Sequence, residues 1–250
     1  MKTRFLRVLA VGLVLGAGAA RADEQPDAKV LLDKAIQAMG GEAKLKKLGT
    51  VSGKGKITTI KGGQEVSIDL QGTWQGLRQY RANVEIQDGG NNFTGILVIN
   101  GDKGWFKKND NTEDAPEGMV PFIQNLFYAA RMPQMLPALR DKAYKLAPLG
   151  EVKVGTQAAV GLAISHNDFK DVSLFFDKES GLPLKSEIRL TEPRRDREST
   201  IEFLYSDYKD FGGVKLGGKI AIKVDDHDFT MELSELSAVQ KVEESHFDRP

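Results

Sequence analysis

The sequence MVPFIQNLFYAARMPQMLPALR, residues 119–140, decides the fold. Apolar residues recur at Met119, Phe122, Ile123, Leu126, Phe127 and Ala130, then at Met132, Met135, Leu136 and Leu139. Steps of three and four place them on one face of a helix, whereas the sequence on either side mostly alternates apolar and polar residues. Pro133 and Pro137 lack the N–H that a helix interior uses. The spacing therefore predicts two short helices with a kink, the first opening near Pro121. Tyr128, Ala129 and Ala130 widen the apolar face almost to a full circle, which calls for apolar contact on more than one side. Two readings satisfy that demand. One is a core helix on a sheet. The other is a movable lid or plug over an apolar cavity, for which Met, Phe and Leu make an adaptable lining.

Around this stretch the period is two. Val66, Ile68, Leu70, Gly72 and Trp74 alternate with polar residues, as do Tyr80, Ala82, Val84 and Ile86. Such strands have one wet and one dry face. Lys61-Gly62-Gly63, Asp88-Gly89-Gly90-Asn91 and Asn100-Gly101 are hairpin turns. Residues 109–117 read as a polar loop. Strands resume at Tyr144 and continue past Val172, Leu182, Ile201, Ile220 and Phe229. Before them all, Val30, Leu31, Lys34, Ala35, Ala38 and Met39 have helical spacing, with Asp27 as N-cap and Gly40-Gly41 as stop. The expectation is a mainly β chain with helices (α+β). About eleven strands in hairpin order form a strongly curved antiparallel sheet or unclosed β-barrel, enclosing or capped by short helices.

The N-terminus precedes the fold. Lys2, Arg4 and Arg7 are followed by an apolar run to Ala20, and Ala20-Arg21-Ala22 supplies small residues at a cleavage site. This pattern is a secretory signal peptide over residues 1–22, with cleavage after Ala22 and export to a bacterial periplasm expected. The apolar run is shorter than a membrane span, and no second such run follows. The chain has no cysteine, so an exported form is held by its core alone. It carries 35 basic and 35 acidic residues; losing Lys2, Arg4, Arg7 and Arg21 leaves 31 basic and a net charge of −4. That balance argues against nucleic-acid binding. Residues 23–250 show no fixed-period repeat and no linker rich in Pro, Gly or Ser after about Pro26, and fit one domain.

Several short patterns resemble the LolA/LolB lipoprotein-carrier superfamily. Gly40-Gly41 followed by Leu45, Leu48 and Gly53-Lys54-Gly55 resembles the opening of exported LolA-like domains. Asp177-Lys178-Glu179-Ser180-Gly181-Leu182-Pro183-Leu184 resembles the family's D-x-x-T-G-L-P hairpin. The run from Tyr205-Ser206-Asp207-Tyr208 to Gly213-Val214-Lys215-Leu216 resembles the strand pair that follows it, and Phe247-Asp248-Arg249-Pro250 a common ending. The resemblance implies an unclosed β-barrel capped by helices, and a carrier of lipid or lipoprotein.

No catalytic group, metal site or cofactor is expected. Ser52-Gly53 lacks the frame of a nucleophile elbow, and Gly53-Lys54-Gly55 is too short for a phosphate loop. His166, His227 and His246 lie far apart. Asp225-Asp226-His227-Asp228 has metal-binding residue types but the position of a hairpin turn. Arg194-Arg195-Asp196-Arg197 reads as a solvated turn or a contact for an anionic headgroup or a partner's acidic surface. The residues expected to line an apolar cavity are Trp74, Tyr80, Phe93, Trp105, Phe122, Leu126, Phe127, Met132, Met135, Leu136 and Phe203. The function expected is a non-enzymatic periplasmic carrier whose ligand is a lipid, acyl chain or lipoprotein, with room for an envelope protein partner. The alternative is an envelope scaffold with a fully packed core.

Overall fold

The computed structural model describes residues 27–193, 197–225 and 227–250. The expected signal peptide, and the basic turn apart from Arg197, lie outside them. Among the described residues no helix is long and apolar enough to cross a membrane.

Among the described residues, thirteen strands form a single antiparallel sheet. In chain order they are β1 Thr50–Lys61, β2 Gln64–Gln75, β3 Gln79–Asp88, β4 Asn91–Asn100, β5 Lys103–Lys108, β6 Asn111–Asp114, β7 Tyr144–Val154, β8 Gln157–His166, β9 Phe169–Asp177, β10 Pro183–Glu192, β11 Arg197–Phe211, β12 Val214–Val224 and β13 His227–Ala238. The count exceeds the expected eleven. One reason is that residues 111–114, expected in a polar loop, pair with β5. Neighbours in sequence are neighbours in space, and β1 pairs with β13. The two free edges are therefore β6 and β7, which are consecutive in the chain. The helical stretch at 119–140 is their connection. The sheet is left unclosed between these two edges.

That stretch forms α3, Met119–Ala130, followed by a 3-10 segment, Met132–Arg140. The break falls at Arg131, and Pro133 and Pro137 hold the second half out of α-geometry, as the missing N–H groups require. Gly118, at φ 74°, begins α3 in a left-handed conformation that suits glycine. The helix packs against β10 and β9. At its start Gly104 leaves no room for a side chain: a Cβ there would stand 2.7 Å from Val120 Cγ2 and 2.9 Å from Ile99 Cδ1.

Ahead of the sheet lie α1, Ala28–Ala38, and α2, Glu42–Leu45. Asp27 caps α1 by accepting from the Lys29 N–H at 2.8 Å. Leu31, Leu32, Ala35 and Ile36 are its buried residues, while Val30 is 61% exposed. The expected apolar face is thus turned toward Leu32 and Ile36. Arg140 joins the helices by pairing with both Asp33 and Glu42.

The core lies between these helices and the inner face of the sheet. The C-terminal residues pack on the other face. There Arg81 donates to the His246 carbonyl at 3.2 Å, and Thr112 donates to the Pro250 carbonyl at 2.8 Å. Val98 and Phe247 are fully buried on this side, apart from the main core.

Candidate functional site

α3 is pinned where it ends. The Ser186 hydroxyl, on β10, donates to the Ala129 carbonyl at 2.9 Å. The Tyr205 hydroxyl, on β11, lies 2.7 Å from Ser186 Oγ and 3.1 Å from the Ala130 carbonyl oxygen. Desolvation raises the Tyr205 pKa well above its ordinary value, so this hydroxyl stays neutral. Nearer the start, the Gln124 amide donates to the Gly101 carbonyl at 2.7 Å. Lifting the helix would leave these buried groups unpaired, at about 1–3 kcal/mol each.

Beneath the helix the space is filled. Trp74, Tyr80 and Phe127 form an aromatic chain with centroid separations of 5.1 and 4.4 Å. Tyr128 stacks on Phe169 at 4.5 Å. Met132 and Leu136 are 0% exposed and Phe203 is 2% exposed. Phe122, Leu126 and Met135 pack half-buried against the same core. The cavity that Trp74, Tyr80, Phe127 and Met135 share measures about 20 Å³. Nine of the eleven residues expected to line an apolar cavity are thus brought together, five of them buried in the core and four half-buried against it.

Trp105 and Phe93 lie elsewhere. Trp105 pairs with Val98 and Asp114, while its neighbour Gly104 pairs with Ile99. Adjacent strand residues face opposite sides, so Trp105 is on the outer face. Phe93 lies on the inner face but far from α3.

Phe93 belongs to an apolar row running across the sheet. The register places Tyr205, Ile220, Met231, Ile57, Ile68, Ile86 and Phe93 side by side on seven successive strands, β11 through β13, then β1 to β4. Val66 and Phe229 flank the row on the same face, each opposite Thr59. Tyr205 is buried and Ile220 touches the core, but Met231, Ile57, Ile68, Ile86 and Phe93 are half-buried and stand outside the core. Among the described residues they form an apolar strip that the helix-packed core leaves out.

The geometry explains the strip. β1 and β2 have 12 residues each, about 40 Å of strand. α3 also has 12 residues, but a helix of that length covers about 18 Å. Such a helix is about half as long as such a strand. The signal was present in the sequence as apolar alternation continuing beyond the reach of a short helix.

A trough of about 740 Å³ lies on the outer face of β13 and β1–β5. Lys54, Lys56 and Lys107 face Asp69, Glu85 and Glu232 along its walls, and Lys56 pairs with Asp69 at 3.6 Å. It is a solvated charged surface of mixed sign. Among the described residues, no group of three or more His, Cys, Asp or Glu side chains could hold a metal ion.

No family model and no curated protein sequence matches the chain. Solved structures do. A LolA superfamily protein from Nitrosomonas europaea superposes with a TM-score of 0.57 at 11% identity, covering 88% of this chain and 97% of that one. The fold is LolA-like. Two more structures share it. A putative outer membrane lipoprotein-sorting protein domain from Vibrio parahaemolyticus has a TM-score of 0.55 at 13% identity, over 89% of this chain and 97% of that one. A DUF1329 family protein from Desulfovibrio piger has a TM-score of 0.56 at 11% identity, over 88% and 97%. In this LolA-like sheet, among the described residues, the helices pack on one part of the inner face, and the row from Met231 to Phe93 lies outside that core.

Proposed function

We propose that the protein is a non-enzymatic carrier, exported to the periplasm, that holds acyl chains of a lipid or lipoprotein on the open half of its inner face. The observation that carries this reading is the uncovered row Met231, Ile57, Ile68, Ile86 and Phe93. The LolA-like fold, shared with a putative lipoprotein-sorting domain, supports an acyl chain as the occupant. The driving force is desolvation. Each methylene buried contributes about 0.8 kcal/mol, so ten supply on the order of 8 kcal/mol before the losses of association. No polar contact to the chain is needed, which suits a carrier that must release its load. The signal peptide read in residues 1–22 supports the location.

The test is extraction of the gently purified mature protein followed by mass spectrometry. Stoichiometric lipid is expected with the native chain, and less than a tenth as much with Ile68→Glu. A native protein that purifies free of lipid and takes up no acyl probe from vesicles would overturn the reading.

A further inference from the structure

Arg131, the residue between α3 and the 3-10 segment, is largely buried without a carboxylate. Its guanidinium donates to the carbonyls of Gly76 at 3.2 Å and Leu48 at 3.4 Å and to Gln134 Oε1 at 3.2 Å. It also lies 5.9 Å from the Trp74 ring. None of the ion pairs among the described residues includes it. A guanidinium has five N–H donors, so two remain after these three bonds. Desolvation lowers its pKa to about 10, the mark of a charge withdrawn from water without an opposing one.

Two more orphan donors sit nearby. Trp74 Nε1 and the Tyr128 hydroxyl are buried without a hydrogen-bond partner, in residues 8% and 2% exposed. Both residues line the 20 Å³ cavity together with Arg131. Next to it is a crevice of about 330 Å³ between α2, the β2–β3 turn and the 3-10 segment, walled by Leu45, Leu48, Leu77, Met135, Pro137 and Tyr144. The two spaces share Gly76, Leu77, Arg131 and Met135, and neither lining contains an acidic residue.

We propose that this crevice is a binding site for a small amphipathic carboxylate, the carboxylate on Arg131 and the aliphatic body along the crevice. Surplus donors and a buried cation call for an anion, and a guanidinium matches a carboxylate bidentately. The small cavity holds a carboxylate oxygen or a water, but nothing of phosphate size. The crevice is at the lower end of small-molecule sites, which favours a medium-length chain over a diacyl lipid. The site is separate from the open strip, and neither depends on the other.

Titration of the mature protein with decanoate and with decanol, both below their aggregation limits, tests this by calorimetry and by Trp fluorescence. Decanoate is expected to bind at least tenfold more tightly than decanol. Arg131→Met should weaken decanoate at least tenfold and leave decanol unchanged. Ala138→Trp, which fills the crevice from an exposed position, should weaken both tenfold and keeps the test open if the Arg131 variant does not fold. Ile68→Glu should leave the Arg131-dependent preference for decanoate over decanol unchanged, which separates this site from the acyl carrier site. Equal affinity for the two probes, absence of decanoate binding, or decanoate binding unchanged in Ala138→Trp would each overturn the proposal.

Discussion

The hydroxyls of Ser186 and Tyr205 lie 2.7 Å apart on adjacent strands and together donate to the last carbonyls of α3. This pair fixes the helix to the sheet from below. A lid swinging on Pro133 would have to break it, so the helix is better regarded as a fixed wedge. Removing either hydroxyl takes a hydrogen bond away from a carbonyl at the end of α3. Ser186→Ala and Tyr205→Phe should each destabilise by about 1–2 kcal/mol, and the double variant by less than their sum. Urea denaturation of the four proteins measures this.

A second expectation concerns the close approach at the start of α3. A Cβ on Gly104 meets Val120, Ile99 and Ala115 within 3.1 Å. Gly104→Ala should therefore destabilise by about 1–3 kcal/mol through overpacking. Adding Val120→Ala should recover part of that loss, read as a rise in Tm over the single variant.

The two halves of the inner face should respond differently to truncation. Leu136 is 0% exposed beneath the helices, and Leu136→Ala should cost about 2–5 kcal/mol. Ile68 is half-buried and outside the core, so Ile68→Ser should cost well under half as much while still impairing lipid uptake. Comparable losses of stability would show that the open half is core as well.

Acid should loosen the C-terminal residues. The His246 imidazole is held below its ordinary 6.5, first by desolvation and then by the charge of Arg81. The unfolded chain then binds this proton more readily than the folded one. The contribution is complete above pH 6.5 and declines as the pH falls from there through the folded value. Tm measured from pH 8 to pH 5 should drop more in the native protein than in His246→Gln.

Much of the fold was legible because its signals are local. Two-residue alternation, Asn-Gly and Gly-Gly turns and the proline pair at 133 and 137 each set a dihedral or a face. Residues 111–114 were missed because a four-residue polar edge strand has no apolar face to reveal it. Trp105 was misplaced because its neighbour Phe106 is also aromatic, and alternation then does not say which of them faces inward. The candidate site was harder to find for a different reason. Aromatic residues mark where chains pack most tightly, and Trp74, Tyr80 and Phe127 mark the filled end. The strip centres on three isoleucines between Met231 and Phe93, and its place outside the core depends on where the helices pack, which alternation does not reveal.

The most direct measurement is methyl NMR of the isoleucines while an acyl chain is titrated into the delipidated mature protein. Carriage on the open half of the sheet is expected to shift Ile57, Ile68 and Ile86 and to leave Ile123, under α3, in place. Shifts centred on Ile123, or none at saturating ligand, would contradict it.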